Sequence, residues 1–166
     1  MRATARVTLR VTKVAPRRGE QFLTRKVSRA VARIEAGLQD EVHLGNLDAV
    51  RDWGYAPEYV EGMWLMLQHD TPEDFVLATG TGTTVRDFVD TAFSHAGLDW
   101  SRHVKQDPRY RRPAEVHALI GDSSKAHTAL GWKAQTHAED LARIMVDADL
   151  AALERSGQVR GGRYWS

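Results

Sequence analysis

Cysteine is absent from all 166 residues, which excludes a disulfide, a thiolate nucleophile and a zinc–thiolate centre. No apolar run approaches the roughly 20 residues that a membrane-crossing helix needs. The N-terminus has no continuous apolar h-region of the secretory kind, so the expected location is cytoplasmic, with no membrane partner. H-E-x-x-H does not occur, and no serine sits in G-x-S-x-G. His117, His127 and His137 recur every ten residues, which is neither a helical period nor a metal-ligand spacing, and no metal site is expected.

What is present is, in bulk, an ordinary globular chain. Hydrophobic residues make up 42% and charged residues 27%, and the length suits one domain with a sizeable core. The net charge of +1 hides an asymmetry. Arg2, Arg6, Arg10, Lys13, Arg17 and Arg18 fall in the first 18 positions with no acid among them, leaving 17 basic against 22 acidic residues. A nucleic-acid binder spreads its basic patch over the folded body. Here the body is mildly acidic, so nucleic acid is not the expected partner.

Strand and helix patterns alternate along the chain, which makes the class α/β. Residues 2–14 alternate apolar and polar with β-branched side chains, as a half-buried strand does; residues 1–14 also read as a basic leader foreign to the domain. Pro16 opens a helix that runs to about Ala36 and stops at Gly37, with Val27, Ala30, Val31 and Ile34 facing the core. Residues 41–44 form a short strand. A second helix covers roughly Pro57 to Gln68, with Tyr59, Met63 and Met66 or Leu67 inward. Residues 74–79 read as a buried strand. Thr83 or Thr84 caps a third helix whose stripe is Val85, Phe88, Val89, Ala92 and Phe93, ended by Gly97. Residues 102–120 are strand and loop. Asp122 caps a short helix ending at Gly131, and Thr136 with Glu139 forms a capping box for the last helix, with Leu141, Ile144, Met145 and Ala148 on one face. Residues 156–166 read as a loose, basic tail.

Four clusters carry chemistry. In Leu44–Ala56, turn formers precede Arg51-Asp52-Trp53-Gly54, directly before a helix. An arginine offers five donors in a fixed fork that suits a diphosphate, and Trp53 is a large flat surface beside it. The bland alternative is a surface ion pair of Arg51 with Asp52 or Glu58. In the second cluster, Arg111-Arg112-Pro113-Ala114-Glu115, Pro113 forces extended backbone before it and so aims Arg112. Arg112 would meet phosphate and Glu115 ribose hydroxyls. The third, Pro16-Arg17-Arg18-Gly19-Glu20, reads as an anion site at a helix N-terminus. The fourth, Gly80-Thr81-Gly82-Thr83-Thr84, lacks the third glycine and the lysine of a phosphate loop and reads as a turn and a cap.

From about Ala15 to Leu153 the chain resembles the C-terminal half of GDP-mannose 4,6-dehydratase, an extended short-chain dehydrogenase/reductase. The residues that carry the resemblance are Pro16-Arg17-Arg18-Gly19-Glu20-Gln21-Phe22, Leu44-Gly45-Asn46-Leu47-Asp48, Arg51-Asp52-Trp53-Gly54, Trp64-Leu65-Met66-Leu67-Gln68, Pro72-Glu73-Asp74-Phe75-Val76, Arg112-Pro113-Ala114-Glu115 and Leu130-Gly131-Trp132-Lys133. It implies the C-terminal part of an NAD(P)-binding Rossmann-type fold with the substrate-binding lobe over residues 15–155. It also implies a lyase that converts GDP-mannose to GDP-4-keto-6-deoxy-mannose, with NADP taking a hydride from C4 and returning it to C6. By resemblance Arg18 touches NADP, Lys26 and Asn46 lie near the guanosine, Arg51 and Arg112 hold the diphosphate, and Glu115 binds ribose.

The departures bear on activity. No Gly-rich dinucleotide loop exists in this chain, and none of Tyr55, Tyr59, Tyr110 and Tyr164 has a lysine four residues on, so no catalytic residue is assigned. Thr12-Lys13-Val14-Ala15 stands where the family has Asn-His-Glu-Ser. The expectation is a truncated portion that binds a GDP-sugar and is inactive alone. The alternatives are a C-terminal subunit of a split dehydratase, completed by a separate N-terminal half, and a non-enzymatic interaction module, with a homo-oligomer as a further partner.

Overall fold

The computed structural model describes residues 12–110 and 116–158. Strand β1 is Thr12–Val14 and helix α1 is Leu23–Glu35. Strands β2 (Val42–Leu44), β3 (Val50–Arg51) and β4 (Trp53–Tyr55) lead into helix α2 (Ala56–Gln68). Strand β5 (Thr83–Thr84) caps helix α3 (Val85–His95), and helix α4 (Trp100–His103) runs into strand β6 (Val104–Gln106). A 3-10 turn at Pro108–Tyr110, strand β7 (Ala118–Leu119), helix α5 (Ser124–Leu130) and helix α6 (Ala138–Arg155) complete it. β1 pairs with β4 and β2 with β6, both in parallel, while β3 lies between antiparallel β5 and parallel β7. No described helix is long and apolar enough to cross a membrane.

Two apolar clusters hold these elements together. The larger joins α1, α3 and α6 through Val27, Val31, Phe88, Val89, Phe93, Leu141 and Met145, with Trp53 tilted against Phe88 at 4.9 Å between ring centroids. Burying a side chain such as Phe88 contributes roughly 1.5–3 kcal/mol. The smaller cluster sets Tyr59 and Met66 of α2 against Phe75, Leu77 and Trp132. Gly62 makes room there: a Cβ at this position would lie 2.7 Å from Leu77 Cδ1 and 3.0 Å from Trp132 Nε1, so these buried side chains would have to shift. The opposite face of α2 carries Val60, Trp64 and Leu67, 61%, 58% and 68% exposed, in one apolar stripe.

The third helix forms as its sequence predicts: Thr84 accepts from the Asp87 amide at 3.0 Å, all five stripe residues are buried, and Gly97 follows at φ +70°. Other expectations need correction. The first helix begins at Leu23, not Pro16. Arg18 N–H bonds the Ala15 carbonyl at 2.9 Å, closing a turn with Pro16 in its favoured second place. Residues 74–79 belong to no strand although Phe75, Leu77 and Ala78 are buried. Thr79 N–H donates to the Asp52 carboxylate instead of to a neighbouring strand. The capping box at Thr136 does not form: His137 is the N-cap of α6, and Glu58 of α2 accepts from the Thr136 amide. Asp122 accepts from the Ser124 amide, one residue before the N-cap Ser123, which makes no side-chain cap bond. The inward face of α6 is rotated from the expected one: Ala142, Val146 and Asp149 are buried beside Leu141 and Met145, whereas Ile144 and Ala148 are half-buried.

Asp149 is the charged residue on that buried face. It accepts from Ser28 Oγ at 2.7 Å and pairs with the Arg25 guanidinium, tying α6 to α1. Burial raises its carboxyl pKa, opposed by both partners.

Candidate functional site

A cavity of about 390 Å³ opens where the turn before α1 meets the β2–β3 connection, β3, β4 and the 3-10 turn. Arg18, Lys26, Asn46 and Arg51 all line it, together with Phe22, Gly45, Trp53, Tyr110 and Leu119. Three cations and no carboxylate are thus among its described lining residues. Four of the six predicted site residues come together; Arg112 and Glu115 lie outside the described residues.

Each side chain is held by its local fold. The Ala15–Arg18 turn and a second one, Phe22 N–H to the Gly19 carbonyl at 3.1 Å, fold Arg18 back over Phe22 with its guanidinium 4.0 Å from the ring. Partial burial draws the Arg18 pKa below its ordinary value. The N-terminus of α1 therefore starts at Leu23, well past the Pro16–Glu20 cluster, which corrects the helix-N-terminal anion reading. Glu20 pairs with Arg29 instead.

Lys26, in the first turn of α1, places its ammonium 3.9 Å from the Tyr110 ring centre. Asn46 closes an Asx turn by accepting from the Asp48 amide at 2.9 Å. Gly45 is required by a close approach, since a Cβ there would lie 2.7 Å from the Tyr110 carbonyl oxygen. Arg109 grips Asp107 through Nε and Nη2 and holds its carboxyl at about pKa 2, which braces the turn carrying Tyr110.

Arg51 donates from one guanidinium nitrogen to the Val50 and Val116 carbonyls at 2.7 and 2.8 Å. The acids weighed as its surface partners have other duties. Asp52 accepts from Thr79, Gly80 and Gly121, and Glu58 from Gln135 and Thr136. Trp53 departs from the expectation of an open stacking face. Only 3% exposed, it forms cavity floor braced from below by Phe88. Gly80–Thr84 is turn and cap, with the Gly80 amide bonded to Asp52 at 3.0 Å where a phosphate loop would offer it to ligand.

Sequence reasoning missed Tyr110 and Asp52. Tyr110 neighbours the 111–115 cluster, and a buried acid between two cavity residues gives no periodic signal. No cluster of metal-binding side chains exists among the described residues. Tyr59, fully buried, has its pKa raised by desolvation, then by Asp52 and Glu58, the opposite of what a tyrosine base needs.

A family model described as GDP-mannose 4,6 dehydratase matches residues 3–145, starting inside the segment read above as a leader. GDP-mannose 4,6 dehydratase 2 of Arabidopsis thaliana is 55% identical over 141 residues, 85% of this chain and 38% of the relative. The GDP-mannose 4,6-dehydratase of Sinorhizobium fredii is 48% identical over 161 residues, covering 87% and 46%. The chain thus spans less than half the length of the curated relatives it matches. Among solved structures, RMD from Pseudomonas aeruginosa complexed with NADPH superposes with a TM-score of 0.77 at 20% identity, over 88% of this chain and 48% of that one. A UDP-glucose 4-epimerase from Thermotoga maritima, with UDP-glucose, gives 0.72 at 27% identity over 89% and 47%.

Proposed function

The chain belongs to the GDP-mannose 4,6-dehydratase family, and on that premise we propose that it is a GDP-sugar-binding portion of such an enzyme, with residues 15–155 as the binding unit. One observation carries the reading. Arg18, Lys26 and Arg51, far apart in sequence, converge on one cavity with no acid among its described lining residues. Such a cluster attracts a diphosphate, and the guanidinium fork matches its geometry. The volume falls at the low end of the ~300–1,000 Å³ of small-molecule sites, room for one nucleotide. Arg51 and Arg112 hold the diphosphate, Lys26 and Asn46 the guanosine end, and Glu115 the ribose.

The family's dinucleotide does not fit the residues present. Of its expected contacts this chain supplies Arg18 alone, already folded onto Phe22, and no Gly-rich loop occurs in the sequence. No chemical step is therefore assigned to this chain, whose residues bind and orient.

A second reading, the C-terminal subunit of a split dehydratase, is favoured by the Val60–Trp64–Leu67 stripe and by the two-stranded β1–β4 pair. Parallel strands ordinarily lie inside larger sheets covered on both faces. Calorimetry with GDP tests the main reading. Arg51→Ala and Arg112→Ala should each weaken binding by about 1.5–3 kcal/mol, the size of a charged hydrogen bond. Unchanged affinity refutes the phosphate assignment. Turnover of GDP-mannose by the chain alone, with NADP, refutes the absence of a chemical step.

A further inference from the structure

Asp52 is 3% exposed, yet it lies between two cavity residues, Arg51 and Trp53. Its carboxylate takes four hydrogen bonds from two distant segments. Oδ1 accepts from the Thr79 amide at 3.1 Å and the Thr79 hydroxyl at 2.6 Å. Oδ2 accepts from the Gly80 amide at 3.0 Å and the Gly121 amide at 3.2 Å. A carboxylate removed from water in this way is tolerated only when its lone pairs are filled.

We propose that Asp52 is a positioning residue for Arg51, fixing the diphosphate-binding guanidinium through β7. The path is continuous. The Gly121 amide binds the Asp52 carboxylate, and the Asp52 amide binds the Leu119 carbonyl at 3.0 Å. Those two bonds clamp one end of β7 onto the β3–β4 junction. β7 is two residues long and exposed on both, so burial does little to hold it. Just upstream, the Val116 carbonyl receives the Arg51 guanidinium at 2.8 Å. Releasing Gly121 removes one tie from the far end of the segment that holds Arg51 and leaves the Asp52 amide–Leu119 carbonyl and Val50 amide–His117 carbonyl bonds, so the segment, with Val116 on it, is loosened and can shift. A guanidinium that shifts with Val116 loses the alignment that makes a charged pair with phosphate strong.

This inference rests on the reading that Arg51 meets a diphosphate, and the test separates the two. GDP and guanosine are titrated calorimetrically into the wild-type chain and the variants. In Asp52→Asn the amide nitrogen, placed opposite Gly80 and Gly121, meets donors where it needs acceptors. GDP affinity is expected to fall about tenfold, as for a lost charged hydrogen bond. Guanosine affinity should stay within about twofold, and in an Arg51→Ala background Asp52→Asn should add nothing, because coupled residues are non-additive. Gly121→Pro, which deletes one N–H and leaves Asp52 untouched, should reproduce the selective loss and serves if Asp52→Asn fails to fold. Equal losses for GDP and guanosine, or additive effects of the two substitutions, would mean a merely structural role and overturn the proposal. So would unchanged GDP affinity in both Asp52→Asn and Gly121→Pro. A wild-type chain that binds no GDP overturns the functional reading itself.

Discussion

The Lys26 ammonium stands 3.9 Å from the centre of the Tyr110 ring, joining the first turn of α1 to the 3-10 turn across the mouth of the cavity. An exposed cation–π contact contributes about 0.5–1 kcal/mol, enough to bias where the two side chains rest. Tyr110→Leu should therefore lower stability in urea by no more than about 1 kcal/mol. Its larger effect should fall on GDP affinity, because Lys26 loses its rest position. A stability loss well above that bound would assign Tyr110 to the core instead.

Gly45→Ala should harm the site more than its size suggests. The new Cβ would meet the backbone of Tyr110, at 2.7 Å from the carbonyl oxygen and 3.1 Å from the carbonyl carbon. Backbone cannot rotate away as a side-chain tip can, so the 3-10 turn must shift, at a cost of roughly 1–3 kcal/mol. A chemical denaturation curve and a GDP titration on the same sample check both consequences.

Asp149→Leu should destabilise the chain by about 3 kcal/mol, the effect of breaking one side of a buried ion pair. It strands Arg25 and takes the acceptor from Ser28 at the α1–α6 contact. Arg25→Met together with Asp149→Leu should recover much of that loss, since the stranded charge goes as well. Failure of the double variant to recover would show that the pair stabilises outright.

Acid should loosen the turn that carries Tyr110. Arg109 depresses the Asp107 carboxyl from 3.8 to about 2, so the folded state binds that proton less readily than the unfolded chain. The stabilisation is complete above the ordinary carboxylate value and disappears as pH falls through the depressed one. Across that window Asp107→Asn should show a shallower loss of stability than wild type. Parallel curves would exclude Asp107 as a contributor.

Legibility in the sequence followed distance along the chain. Helix α3 was readable throughout because its cap, stripe and stop are all local: Thr84, Val85 through Phe93, and Gly97. The capping box at Thr136 looked equally sound but lost to Glu58, a residue on another helix that no local pattern announces. Residues 74–79 have the apolar pattern of a strand, yet Asp52 takes the amides at its end. In the cavity, Arg18, Lys26, Asn46 and Arg51 were legible through motif resemblance, which encodes the gathering of distant segments. Asp52 was not, because its partners at 79, 80 and 121 are revealed only by the fold.

Trp53 and Trp132 are each 3% exposed, whereas Trp64 on α2 stands 58% in water. The chain therefore carries its own optical gauge. Whatever settles on the Val60–Trp64–Leu67 stripe strips water from that indole and shifts its emission toward the blue, against the background of the chain's four other tryptophans, of which Trp53 and Trp132 are buried and Trp100 is half-buried. Docking on α2 can be followed without a label, because Trp64 does not line the cavity; a nucleotide entering there meets Trp53 instead.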